Sequence, residues 1–142
     1  MKIYLDTIGC RLNQSEIEIM ASQFKFMGHE IVSDSAQADL VVINTCAVTS
    51  AAASDSRQKI RQAARNPLAK IAVTGCWATL EPAAAQQLSG VEYVVLNTQK
   101  DELVADILQV KAEIFDRDPL IREHLAGEHL RTRAFLKVKD GC

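Results

Sequence analysis

Two continuous apolar runs, Leu40-Val41-Val42-Ile43 and Ile71-Ala72-Val73, constrain this chain more than anything else in it. Runs without polar alternation belong to strands covered on both faces, the setting of a parallel sheet clad in helices. The flanking segments agree. Residues 2–6, 30–33, 39–44, 70–74 and 93–96 read as strands. Residues 13–27 carry Ile17, Met20, Ala21, Phe24 and Met27 at helical spacing, with Gly28 as the stop. Residues 50–65 form a second helical stretch that ends before Pro67. Residues 79–88 form a third, with Thr79 as N-cap and Pro82 in its first turn. Residues 100–111 set Leu103, Val104, Ile107 and Leu108 on one side of a fourth. Alternating strands and helices predict an α/β domain: a flavodoxin- or Rossmann-like open parallel sheet of about five strands with helices on both faces; if its order is flavodoxin-like, 2-1-3-4-5, the first, third and fourth strands are neighbours.

Composition removes several functional classes. With 142 residues, 48% of them apolar, the chain can bury one real core. Sixteen Lys and Arg against 18 Asp and Glu leave a net charge of −2, so no basic field marks a nucleic-acid binder. No apolar run has the length of a membrane span, and Met1-Lys2-Ile3-Tyr4-Leu5-Asp6 has no apolar core of a secretory signal. A cytoplasmic location without membrane contact is the expectation.

In such a setting cysteines are packing residues, metal ligands or catalytic groups more often than disulfides. The four stand at Cys10, Cys46, Cys76 and Cys142, and no Cys-x-x-Cys pair occurs. The first three are separated by roughly the 30 residues of a βαβ unit. Cys10 follows the first predicted strand, Cys46 the third and Cys76 the fourth, so all three fall at the carboxyl ends of parallel strands, where open α/β sheets bind ligands. Adjacent strands lie about 4.8 Å apart, close enough for three loops to share one small object. Gly9 and Gly75 precede Cys10 and Cys76 and permit close backbone approach. Loops that open helices add N–H groups and a positive dipole end suited to an anionic ligand. The residues alone leave three readings open: packing cysteines, in a flavodoxin-like nucleotide- or flavin-binding module or in a structural or interaction domain; zinc held by three thiolates and water; or an iron–sulfur cluster with one open iron. The flavodoxin-like reading wants a phosphate loop, and Gly9-Cys10-Arg11-Leu12-Asn13 holds a single glycine.

The segments Thr7-Ile8-Gly9-Cys10-Arg11-Leu12-Asn13-Gln14-Ser15-Glu16, Asn44-Thr45-Cys46-Ala47-Val48-Thr49 and Thr74-Gly75-Cys76-Trp77-Ala78 closely resemble the three cysteine motifs of the radical-SAM methylthiotransferases. Ser56-Arg57-Gln58-Lys59-Ile60-Arg61 fits the stretch after the second motif. Residues 132–142, ending Lys139-Asp140-Gly141-Cys142, resemble the run into that family's Cys-x-x-x-Cys-x-x-Cys motif. Five spaced blocks in order are far more specific than any one of them. The nearest branch acts on threonylcarbamoyl-adenosine in tRNA.

The resemblance implies an auxiliary [4Fe–4S] cluster held by Cys10, Cys46 and Cys76. It implies a second [4Fe–4S] cluster in the parent enzyme, with Cys142 as its first ligand. That cluster cleaves S-adenosylmethionine so that a methylthio group can be added at C2 of an adenosine next to the anticodon. Gly9, Asn13, Asn44, Thr45 and Gly75 would flank the auxiliary ligands, bonding cluster sulfurs or fixing the loops. The expected organisation is 1–111 as the iron–sulfur domain, 112–131 as a linker segment and 132–142 as the start of the radical domain. The partner would be a tRNA anticodon stem-loop, reached through the full-length enzyme, with weak or no RNA binding by this domain. A piece with one radical-cluster cysteine is expected to be inactive alone.

Other residues read more plainly. Arg57, Arg61 and Arg65 form one helical stripe, taken as a solvated face. Trp77 reads as packing, His29 as a structural histidine, and His124 and His129 as linker residues; a helix from Asp118-Pro119 to Ala126 is expected in the linker.

Overall fold

The computed structural model describes residues 1–8, 11–47, 49–111 and 114. Five strands, β1 (Lys2–Thr7), β2 (Glu30–Val32), β3 (Leu40–Thr45), β4 (Lys70–Gly75) and β5 (Val91–Val94), pair in the order β2-β1-β3-β4-β5. Every pair is parallel. Among the described residues the α-helices are α1 (Arg11–Phe26), α2 (Ser50–Ala63), α3 (Cys76–Leu80), α4 (Pro82–Gln87) and α5 (Leu103–Leu108). The open parallel α/β sheet matches the expectation, its order is the flavodoxin-like one, and the two apolar runs form β3 and β4 inside it.

All residues of β3 are buried, and its side chains alternate between two cores. Val41 and Ile43, with Ile71 and Val73 of β4, pack with Ile60 and Ala63 of α2, Trp77 and Ala78 of α3 and Ala85 of α4. Leu40 and Val42, with Ile3 and Ala72, pack with Ile17, Met20 and Phe24 of α1 and Leu103 and Val104 of α5. An unbroken β-branched run is what a strand between two helical layers needs, because neither face reaches water. Among the described residues, no helix is long and apolar enough to cross a membrane.

Helix α1 ends where Gly28 was expected to stop it. Gly28 takes a φ of 86°, its N–H reaches the Lys25 carbonyl at 2.9 Å, and the His29 N–H reaches the Phe24 carbonyl at 3.0 Å. The His29 ring stands edge-on to Phe24, with Nδ1 3.1 Å from the Met1 ammonium. Burial, and then that ammonium, hold its pKa below the ordinary value.

Three elements depart from the sequence reading. The helix expected over 79–88 is two short ones. Pro82 has no N–H to continue α3 and instead opens α4, while Glu81 before it is displaced to φ −129°, ψ 60°. Thr79 consequently lies inside α3 rather than capping a helix, and its hydroxyl donates to the Gly75 carbonyl at 2.8 Å. The fifth strand begins two residues early, at Val91, because a register shift lets Glu92 bulge out between the Ile71–Val91 and Ala72–Tyr93 pairs. The last helix expected over 100–111 is a 3₁₀ segment, Asn97–Glu102, that runs into α5. Gln109 closes α5 in the left-handed region, at φ 56°, ψ 42°. The linker helix expected from Asp118, with His124 and His129, lies outside the described residues.

Ile71 is wholly buried between the layers, whereas Leu68 is 85% exposed. Ile71→Ala is expected to lower unfolding free energy by about 2–5 kcal/mol, and Leu68→Ala to change it by less than about 0.5 kcal/mol, as read from urea denaturation midpoints.

Candidate metal centre

The register of β3 and β4 determines where two of the cysteines emerge. Thr45 pairs with Gly75, the last residues of their strands. Cys46 follows immediately on one and Cys76 on the other, so the two backbones leave the sheet about one strand spacing apart, near 4.8 Å. Cys46 is buried, Cys76 is partly exposed, and both are free thiols. Gly75 is required at this exit. Its φ is 98°, and a Cβ there would collide with the Thr45 carbonyl and stand 2.6 Å from the Thr45 nitrogen and 2.7 Å from Asn44 Oδ1.

Beyond the last ladder bonds, side chains take over the polar groups of the backbone. Asn13 on α1 donates from Nδ2 to the Ile8 carbonyl (2.9 Å) and the Thr45 carbonyl (3.1 Å), tying the end of β1 to the end of β3. Asn44 Nδ2 donates back to the Asn13 carbonyl and to Glu16 Oε2, both at 3.1 Å. Glu16 Oε2 also accepts from Lys100 Nζ at 2.7 Å, and both side chains of this ion pair are almost completely buried. Thr45 Oγ1 donates to the Thr74 carbonyl at 2.6 Å and accepts from the Ala78 N–H at 3.3 Å. Ser56 of α2 holds Cys46 in place. Its Oγ accepts the Cys46 N–H at 3.4 Å and lies 2.9 Å from the Ala52 carbonyl and 3.3 Å from the Cys46 carbonyl.

Around Cys76 the bonds come from α3 and the loop after β5. Thr79 Oγ1 accepts the Asn97 N–H at 3.0 Å, and Asn97 Nδ2 donates to Cys76 Sγ at 3.7 Å. Trp77 is buried among α2, β3 and β4 residues, with Nε1 donating to Glu81 Oε2 at 2.8 Å. Between the end of β1 and α2 lies a cleft of about 300 Å³ lined by Thr7, Ile8, Asp55, Gln58, Lys59 and Gln62. Beside it Lys59 Nζ meets both carboxylate oxygens of Asp6 at 2.7 Å.

Of the site residues read from sequence, Cys46, Cys76, Asn13, Asn44, Thr45 and Gly75 therefore converge at one carboxyl edge of the sheet. Gly9, Cys10 and Cys142 lie outside the described residues. Among the described residues, no group of three or more His, Cys, Asp or Glu side chains could hold a metal. The pair that is described nonetheless suits a thiolate-held centre. Two free thiols share an edge, and one of them receives an amide N–H on its sulfur.

Sequence reading did not single out Ser56, Asn97 or Lys100. Lys100 sat in a stretch read as an ordinary amphipathic helix, where a lysine belongs to the wet side. Its partner Glu16 lies 84 positions away, and no local pattern signals such a pair.

The profile of the uncharacterized protein family UPF0004 matches residues 2–110. The chain belongs to this family. It is 38% identical over 153 residues to the threonylcarbamoyladenosine tRNA methylthiotransferase MtaB of Aquifex aeolicus, an alignment covering 100% of this chain and 37% of that protein. The protein of the same name from Bacillus subtilis is 38% identical over 149 residues, covering 96% of this chain and 32% of the relative. That of Thermotoga maritima is 34% identical over 146 residues, covering 99% and 33%. The chain thus spans about a third of the length of these relatives.

Truncating Lys100 would leave the Glu16 carboxylate in the interior without its ammonium. Lys100→Met is expected to cost about 3–5 kcal/mol, the range for breaking a buried pair. Lys70→Met, which breaks the exposed pair with Glu92, should cost less than about 1 kcal/mol. Chemical denaturation of both variants checks the contrast.

Proposed function

We propose that this chain is the domain of a tRNA methylthiotransferase that carries an auxiliary [4Fe–4S] cluster, with Cys10, Cys46 and Cys76 as its three protein ligands. The observation that carries the reading is the exit of Cys46 and Cys76 from the paired ends Thr45 and Gly75, as free thiols on neighbouring strands. Its support comes from relatives named threonylcarbamoyladenosine tRNA methylthiotransferases, aligned along the whole chain. Three thiolates on four irons leave one iron without a protein ligand, and when bound such a cluster supplies a coordination position for an exogenous sulfur group.

The chain's own residues do the positioning. Ser56 Oγ accepts the Cys46 N–H and so holds that backbone against α2. Gly75 lets β4 pass against Thr45 closely enough for Cys76 to turn out at the same level. Asn13 ties Ile8, two residues before Cys10, to Thr45, one residue before Cys46, so the approaches to these two cysteines move together. The amino ends of α1 and α2 add partial positive charge at this edge, which favours an anionic sulfur-rich group.

In this reading residues 1–111 are the cluster domain, 112–131 a linker segment and 132–142 the start of a radical domain that takes Cys142 as first ligand of a second [4Fe–4S] cluster and uses S-adenosylmethionine. The substrate is C2 of an N6-threonylcarbamoyladenosine next to the anticodon, in the cytoplasm, with the tRNA held by other parts of the full-length enzyme. The net charge of −2 supports weak RNA affinity for this domain.

Anaerobic reconstitution of the 142-residue chain with iron and sulfide is expected to give about four irons per chain and visible charge-transfer absorption. Cys10→Ala, Cys46→Ala or Cys76→Ala should each weaken or abolish the uptake, while Cys142→Ala leaves it intact. A full complement of iron in the Cys46→Ala protein overturns the assignment. The chain alone is expected to give neither methylthiolated tRNA nor cleaved S-adenosylmethionine, and turnover of either kind in a direct assay contradicts the division of domains.

A further inference from the structure

The 3₁₀ segment Asn97–Glu102 connects to the site at two points. Its fourth residue, Lys100, bonds Glu16, and its first residue, Asn97, bonds Cys76. The loop that bears Asn97 is also held by its own backbone, through the N–H bonded to Thr79 Oγ1. The Asn97 side chain is therefore not needed to anchor the loop, and its amide is left for the sulfur.

The orientation of that amide matters. Nδ2 faces Cys76 Sγ at 3.7 Å, while Oδ1 is buried with no hydrogen-bond partner among the described residues. A protonated thiol can donate its S–H to an amide oxygen or accept an amide N–H on its sulfur. A metal-bound thiolate accepts only, so the N–H must face it. With Nδ2 turned to Sγ at 3.7 Å, this amide stands where it can donate to a thiolate at Cys76.

We infer that Asn97 is a positioning residue for the Cys76 thiolate, a neutral amide donor that raises the reduction potential of the cluster held there. The inference rests on the cluster reading above. An N–H bonded to a ligating sulfur withdraws electron density from it and stabilises the reduced, more negative cluster over the oxidised one. A residue that merely fills the loop would leave that balance unchanged.

The test uses the full 142-residue chain, reconstituted anaerobically as wild type, Asn97→Ala, Asn97→Asp and the exposed-neighbour control Thr98→Ala. Iron content, circular dichroism and the midpoint potential from a redox titration followed by electron paramagnetic resonance are measured for each. Asn97→Ala is expected to keep its fold and its iron and to shift to a lower midpoint. Asn97→Asp, nearly identical in shape but presenting negative charge to the sulfur, should shift further in the same direction, and Thr98→Ala should match wild type. Should the Asp variant not fold, the Ala variant decides alone. A wild-type midpoint in Asn97→Ala overturns the role of Asn97 and leaves the cluster reading standing. Failure of the wild-type chain to take up iron overturns both.

Discussion

Where parallel strands end, the ladder that satisfied their peptide groups ends too, and something else must bond the carbonyls left behind. In this protein two asparagines meet that constraint. Asn13 spans the ends of β1 and β3, and Asn44 turns back to the Asn13 carbonyl, so each amide is bonded to the backbone next to the other. The remaining arrangement of the edge follows from this crossed pair. It sets Glu16 against Asn44, and Glu16 in turn accounts for a lysine in the interior. It also leaves Asn44 beside Gly75, where there is no room for a side chain.

Chemistry and stability are therefore hard to separate at this edge. Thr45 closes β3 against β4 through the Thr74 carbonyl and receives the first turn of α3 on the same oxygen. Ser56 does the equivalent from α2 for Cys46. A substitution here would loosen the packing of a helix and the aim of a thiol together. Measurements that report only activity would confuse the two, and reduction potential or iron content alongside unfolding separates them.

Much of this was legible in the sequence because the sheet obeys short-range rules. Val41 to Ile43 and Ile71 to Val73 had to be covered on both faces, and that alone orders β3 and β4 in the interior. Gly28 announced the end of α1, and the spacing of Cys46 and Cys76 from their strands announced a shared edge. The illegible part has equally physical causes. Pro82 reads as a first-turn residue of a helix capped by Thr79, yet it opens a helix of its own, and its effect on the preceding turn splits the expected helix into two. Lys100 and Asn97 act through tertiary neighbours, Glu16 and Cys76, that hydrophobic periodicity does not encode. A lysine that finds a buried carboxylate and one that faces water carry the same letter.

The Glu16–Lys100 pair also bears on the order of events during synthesis. Its members are separated by 84 positions, and the β1 to β4 framework lies between them in the chain. A ribosome exposes Glu16 early and Lys100 only after the whole inner sheet has been made. Until then Asn44 Nδ2 can bond the carboxylate, but the ammonium that balances its charge in the interior has not been made. The sheet edge with its thiols is thus completed last, by a segment that contributes no strand. A nascent chain halted before residue 100 would hold every residue of β1, β3 and β4 and still lack the ammonium that meets Glu16.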